Sequence, residues 1–224
     1  MSGSLFIIEG IDGSGKSTQV KLLSARLDKC GINVMQIKFP NYASDSSTLV
    51  RMYLAGRFGS DPSEVNAYAA SAFYAVDRYA SYMSEWGESY RNGMVILSDR
   101  YVSSNIIHQS SKLDSVDSEI SFWDWLYDFE YCKLGVPRPD GVYFLDVPPD
   151  IALGQVAHRY GGDESKKDIH EKDSEYIRKC YQTGILACDK GYMQRVECVE
   201  NGHMLAPELI CDKIFSLVCS ALGV

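Results

Sequence analysis

The stretch Gly10-Ile11-Asp12-Gly13-Ser14-Gly15-Lys16-Ser17 carries the spacing G-x-x-x-x-G-K-S. Glycines at that spacing let the backbone close round a polyphosphate and turn its N–H groups inward. A helix opening near Lys16 offers its free N–H groups and the positive end of its dipole to the same anion. Lys16 is expected to reach the outer phosphates and the Ser17 hydroxyl to hold Mg²⁺. A chance Gly-rich turn is the competing explanation. It lacks the context found here, an apolar run before the motif and a helical pattern after it.

Three further features could serve a phosphate site. Val95 to Asp99 is an apolar run ending in a carboxylate, suited to an outer-sphere Mg²⁺ ligand, with the forked cation Arg100 next to it. A surface ion pair is the plainer alternative. Arg78 lies one helical turn beyond Tyr74, so an aromatic ring and a guanidinium can face one cleft, as a planar base would require. A core stripe would explain Tyr74 but not Arg78. Asp12 is a carboxylate inside a phosphate loop, which is costly unless it meets Mg²⁺, an arginine or a sugar hydroxyl; a solvent-facing turn residue is the alternative.

Other chemistries find less support. A guanine-reading segment is matched only by Ser111-Lys112-Leu113-Asp114, which has the wrong first residue and no strand before it. Asp28-Lys29-Cys30-Gly31 mimics a GTPase switch but falls at a helix end. No Ser–His–Asp or Cys–His set stands out. The seven cysteines are scattered and form no C-x-x-C, so reduced, core-filling thiols in a cytoplasmic protein are expected.

The elements that position these residues read as alternating strands and helices. Strands are expected at 5–8, 33–38, 95–97, 142–145 and 194–199. Helices are expected at 17–29, 48–55, 62 to about 90, 119–133, 151–159, 171–189 and 207–222. Pro62 after Asp61 suits a helix start, and the polar, Gly-led stretch 161–168 reads as a mobile loop. This alternation predicts an α/β fold with a parallel sheet covered by helices on both faces.

The chain has 224 residues, 46% hydrophobic and 23% charged, the mix of a globular protein and enough to bury its own core. Its 30 acidic against 22 basic residues give a net charge of −8, which excludes a general nucleic-acid binder. No apolar run is long enough to span a membrane, and Met1-Ser2-Gly3-Ser4 does not resemble the start of a secretory leader.

The motifs together resemble the thymidylate kinase family. Phe6 to Thr18, Phe39-Pro40-Asn41-Tyr42, Phe73-Tyr74-Ala75-Val76-Asp77-Arg78, Asp99 to Asn105 and Leu134 to Asp140 carry the resemblance, with Asp168-Ile169-His170-Glu171 a weaker sixth stretch. It implies a P-loop nucleoside monophosphate kinase fold of five parallel strands, one domain over 1–224 with a mobile lid at about 159–171. It also implies a homodimer packed through long helices. The implied activity is transfer of the γ-phosphoryl group of ATP to dTMP, with ATP and Mg²⁺ required.

By position, Gly10, Gly13, Ser14, Gly15, Lys16, Ser17 and Thr18 would bind ATP. Asp12, Phe39, Tyr42, Tyr74, Arg78, Arg100, Asn105, His108, His170 and Glu171 would bind dTMP. Tyr74 would stack on the base, Arg78 and Asn105 would read its edges, and Arg100 would bridge the two phosphates. Ser17, Asp99 and Glu171 would hold the metal, and Lys16, Arg100, Asp12 and Arg159 would be catalytic.

Departures from the family pattern are specific. Tyr74 stands where Phe is common, and His108 and His170 where Tyr is common. Smaller rings there predict a wetter base and sugar pocket. Ile11, Asp12, Gly13 and Ser14 carry no arginine, so Arg159, Lys166 or Lys167 of the lid would have to supply the charge; the two lysines could equally be a solvated charge run.

Two other activities fit less well. A deoxynucleoside kinase needs a base just past the second strand, and Phe39-Pro40-Asn41 offers none. A non-catalytic nucleotide-binding protein would be favoured by loss of Lys16, Arg100 or Asp12, and all three are present.

Overall fold

The computed structural model describes residues 3–161, 163, 169–171 and 173–224, without the side chains of Arg159 and Tyr160. In chain order the elements begin with β1 (Leu5–Glu9), α1 (Lys16–Lys29) and β2 (Val34–Lys38). A 3₁₀ turn leads into α2 (Thr48–Leu54), and α3 (Ala67–Ser81) passes through a π-helical turn at Tyr82–Trp86 into α4 (Gly87–Arg91). Next come β3 (Val95–Asp99), α5 (Ser103–His108), α6 (Val116–Tyr127) with a second π-helical turn at Asp128–Leu134, and β4 (Gly141–Asp146). The remainder is α7 (Pro149–Tyr160), α8 (Ser174–Asp189), β5 (Gln194–Glu197), β6 (Val199–Glu200), β7 (His203–Met204) and α9 (Pro207–Leu222).

Strands β1 to β5 form the expected five-stranded parallel sheet, in the order β2-β3-β1-β4-β5. β1 is central and wholly buried, which explains its unbroken apolar sequence. All parallel strands end at one edge, so Glu9, Lys38, Asp99 and Asp146 are delivered together to the side where α/β proteins bind ligands. The main core surrounds β1, β3 and β4. A smaller cluster of Val50, Tyr53, Leu54, Val65, Ala70 and Ile169 lies among α2, α3 and the segment before α8.

Several expected boundaries are corrected. The helix expected at 62 to about 90 is broken at Val65, whose backbone is extended, and restarts at Asn66, whose side chain accepts from Ala69 N at 2.8 Å. The π-helical turn that follows needs Gly87, because a Cβ there would stand 2.2 Å from the Tyr82 carbonyl oxygen. The last long helix but one starts at Ser174 rather than 171, capped by Asp173, which accepts from Glu175 N and Tyr176 N. The strand expected at 194–199 ends at Glu197. Val199–Glu200 turns through Asn201 and Gly202, both at positive φ, to pair with His203–Met204.

Helix α5 was not expected at all, since Ser103, Ser104 and Asn105 are poor helix formers. All seven cysteines are free. No described helix is long and apolar enough to cross a membrane.

Candidate active site

Two adjoining clefts open at the carboxyl edge of the sheet. The first is lined by the loop residues Asp12, Gly13, Gly15, Lys16, Ser17 and Thr18, with Lys38, Asp99 and Arg100 opposite. The loop is wrapped as tightly as its glycines allow. A Cβ on Gly13 would meet the Ala152 carbonyl oxygen at 2.1 Å, and Gly15 caps α1 at φ 92°, so the loop N–H groups converge at the helix start. Gly10 and Ser14 lie beneath the loop rather than on the cleft wall. Lys16 is buried and its Nζ donates to Ile11 O at 2.8 Å, curled over its own loop. Burial and the nearby Arg100 push that ammonium down to about 8, against the pull of Asp12 and Asp99.

Asp99 and Ser17 meet as expected, the Ser17 hydroxyl donating to Asp99 Oδ2. Asp99 Oδ1 is buried with no hydrogen-bond partner. An orphaned carboxylate oxygen beside a hydroxyl is a hard-oxygen pair of the kind Mg²⁺ takes, directly or through water. The third expected metal ligand is not brought to them: Glu171 is buried and lines neither cleft. Among the described residues no group of three His, Cys, Asp or Glu side chains is arranged to hold a metal. Arg159 lies in the last turn of α7, and its side chain, with Lys166, Lys167 and Asp168, falls outside the described residues.

The second cleft gathers residues from six separated stretches. Asp12, Phe39, Tyr42, Tyr74, Arg78, Arg100, Asn105, His108 and His170 all line it, joined by Pro40, Leu54, Tyr101, Ser104 and Gln109. The Phe39–Pro40 peptide is cis. Arg100 and Asp12 are common to both clefts. The Arg100 guanidinium donates to Asp12 Oδ1 at 2.5 Å and to His108 Nε2 at 2.9 Å. Arginine can only donate, so His108 Nε2 accepts and its proton sits on Nδ1, a buried atom with no partner. Burial would raise the Asp12 carboxyl, but Arg100 and then Lys16 overcome this and hold it well below the usual carboxylate range.

Arg100 has φ 72°, the left-handed region, so its backbone must be held there. Glu9 does much of the holding. Wholly buried, it accepts from Tyr101 N at 3.0 Å, Ser103 Oγ at 2.8 Å and Ser104 Oγ at 2.8 Å. The same carboxylate thereby ties down the start of α5, which explains a helix that intrinsic propensity does not favour.

Arg78 reaches the second cleft with most of its fork committed. Its Nε donates to Glu130 Oε2 at 2.6 Å, Nη2 to Glu130 Oε1 at 2.5 Å, and Nη1 to Tyr101 O at 3.3 Å. Both partners are buried. Burial opposes the charge on Arg78, and Glu130 outweighs it. Two N–H bonds of the five remain for a ligand.

His170 and His108 are stacked, with ring centroids 6.0 Å apart and planes 10° from parallel. Lys112 Nζ donates to Tyr53 Oη at 2.8 Å, and that hydroxyl is hydrogen-bonded to His170 Nε2 at 2.8 Å. Burial and Lys112 push the His170 imidazole down to about 3, and burial and Arg100 hold His108 well below 6.5. Neither ring is charged near neutral pH.

Sequence reasoning missed Glu9, Lys38, Gln109 and Glu130. Glu9 and Lys38 each end a strand, the same signal that singled out Asp99. Gln109 directly follows His108 and is 1% exposed, and neither end of its amide has a partner. Glu130 had no local signal, being more than fifty positions from Arg78 in sequence.

Comparisons with known proteins point to one family. The family model described as Thymidylate kinase matches residues 8–196. A thymidylate kinase from Mycobacterium tuberculosis is 32% identical over 173 residues, covering 76% of this chain and 79% of that protein. A probable thymidylate kinase from Thermococcus kodakarensis is 30% identical over 219 residues, 97% of this chain and 98% of that one. The solved thymidylate kinase of Candida albicans superposes with a TM-score of 0.71 at 22% identity, covering 98% of this chain and 92% of that one. With its glycine-rich loop and aromatic-lined second cleft meeting at Asp12 and Arg100, this chain belongs to the thymidylate kinase family.

Proposed function

We propose that this chain transfers the γ-phosphoryl group of ATP to dTMP, giving dTDP and ADP. The observation that carries the reading is the shared wall: Asp12 and Arg100 line both clefts, so a donor and an acceptor phosphate meet at one guanidinium. The loop cleft takes ATP and the aromatic cleft takes dTMP, with Tyr74 against the base and Arg78 and Asn105 at its edges. Bound Mg²⁺, held by Asp99 and Ser17, would neutralise part of the polyphosphate charge.

The acceptor needs no base. Its second pKa is about 6, so the attacking phosphate oxygen is already free at pH 7. The chain must instead bring two polyanions together in line and stabilise charge in flight. Lys16 exchanges the Ile11 carbonyl for the outer phosphates. Arg100, relieved of part of its pairing to Asp12 as a sugar hydroxyl takes that carboxylate, bridges the two phosphates. The lid expected at about 159–171 lies largely outside the described residues.

The active species is a homodimer. Val76, Tyr79 and Met83 recur at helical spacing along α3 and its extension, each at least 40% exposed, an apolar stripe suited to a second copy.

The test is ADP release from ATP and Mg²⁺ against dTMP, dUMP, dCMP, dGMP, UMP and thymidine. Release strongest with dTMP is expected. Release with thymidine alone would move the acceptor from a phosphate to a hydroxyl, and no acceptor-dependent release from folded protein would sink the reading.

A further inference from the structure

Lys38 ends β2, and the parallel register sets it level with Asp99 at the end of β3. Its Nζ stands 3.6 Å from Asp99 Oδ2, yet its side chain is 57% exposed. It lines the donor cleft, while the next two residues, Phe39 and Pro40, line the acceptor pocket. Lys38 therefore stands at the seam between the two.

The charges of the donor cleft sharpen this. Among the described residues its wall holds three cations, Lys16, Lys38 and Arg100, and two carboxylates, Asp12 and Asp99. Arg100 is paired with Asp12, and Lys16 with the Ile11 carbonyl. Without Lys38 the described wall is neutral, although it must receive a polyphosphate. Positions 11 to 14 of the loop carry no cation. The contact to Asp99 is long and its lysine end is exposed to solvent, so it holds the ammonium weakly, and the four-carbon stem leaves it free to turn.

We propose that Lys38 is a catalytic residue whose ammonium contacts the oxygens of the phosphoryl group in transfer. This rests on the phosphoryl-transfer reading above. The bond from the γ-phosphorus to the ADP oxygen breaks as the bond to an acceptor phosphate oxygen forms. Lys38 stays protonated throughout and supplies charge alone. The competing role is neutralisation of Asp99, in which case removing Lys38 would strengthen cation binding at that carboxylate and lower the Mg²⁺ needed for half-maximal rate.

The experiment compares the wild type with Lys38→Met and Lys38→Arg in initial rates of dTDP formation, with ATP, dTMP and Mg²⁺ each titrated. Lys38 is on an edge strand, so both variants should melt with the wild type. Lys38→Met is expected to lower kcat about 10- to 100-fold, with the KM for dTMP held within about two-fold. Lys38→Arg should recover most of the loss. A Lys38→Met kcat near that of the wild type, a loss confined to the dTMP KM, or a reduced Mg²⁺ requirement at unchanged kcat would each overturn the assignment while leaving phosphoryl transfer standing. Absence of turnover in the wild type would overturn phosphoryl transfer, and Lys38's role with it.

Discussion

The donor cleft and the acceptor pocket share Asp12 and Arg100 but are built on different terms. Six residues between 12 and 18 supply most of the donor wall, and what they offer is largely backbone N–H groups and charge. The acceptor pocket is drawn from residues 12 to 170, rests on a second apolar cluster, and keeps unpartnered polar atoms on both His108 and Gln109, against Asp99 Oδ1 alone on the described donor wall. One contiguous loop can be strong and local, because a wrapped backbone and a helix start need little from the rest of the fold. A base pocket must be assembled, and the chain stores uncompensated polar groups there until a ligand arrives.

The largest effect should come where the two meet. Lys16→Met and Arg100→Ala should each lower kcat by about a thousand-fold or more, since each removes a charge contact to the phosphates. The melting temperature should hold for Lys16→Met. Arg100→Ala alone should also raise the KM for dTMP, because Arg100, unlike Lys16, lines both clefts. Equal effects of the two on acceptor binding would erase the distinction between them.

The acceptor side should break first when the fold is tested. Glu130→Leu leaves the Arg78 guanidinium buried and unpaired, at a cost of about 3–5 kcal/mol. A matching loss in urea unfolding, with weakened dTMP binding and unchanged ATP affinity in whatever remains folded, would support a positioning role for Glu130. A stability like that of the wild type would sink it.

The same contrast explains what could be read from the residues alone. The loop, the sheet and Asp99 were legible because their signals are local: glycine spacing, apolar runs, strand-terminal carboxylates. The acceptor side chains were legible only by resemblance, and their partners were not. Arg78 was expected to read a base, yet the carboxylate that aims it lies far along the chain in a π-helical turn. Helix α5 was invisible because a buried Glu9 on another strand creates it. Where a nearby signal did exist, as in the turn Asn201-Gly202, it was simply outweighed by the strand-like alternation of Val196 and Cys198 with polar residues before it.

Titration separates the clefts more gently. Among the described residues the donor wall has no histidine, whereas the acceptor pocket buries two neutral ones. His170 titrates at about 3 in the folded chain and near 6.5 when unfolded, so protons bind the unfolded chain first. Its stabilisation is complete above pH 6.5 and declines, by up to about 1.4 kcal/mol per pH unit, as pH falls towards 3. His170→Gln, whose amide can still hydrogen-bond Tyr53, should flatten the fall in stability between pH 6.5 and 5. An unchanged slope would place the acid sensitivity elsewhere.

The smallest effect is also the most discriminating, because it should have opposite signs in the empty and occupied chain. Gln109 buries an amide with neither end partnered, a desolvation cost of about 1–3 kcal/mol that the empty chain already bears. Gln109→Leu keeps the bulk and removes the polar atoms, so the ligand-free protein should become more stable by about 1 kcal/mol. If the amide finds its partner on the acceptor, the same substitution should weaken dTMP binding by about ten-fold while leaving the ATP KM alone. Thermal melting with and without dTMP reads both signs in one experiment. A Gln109→Leu chain that is stabilised equally in both states would mean that the amide serves neither the fold nor the acceptor, and the contrast between a self-sufficient donor loop and a ligand-completed acceptor pocket would then have to rest on His108 alone.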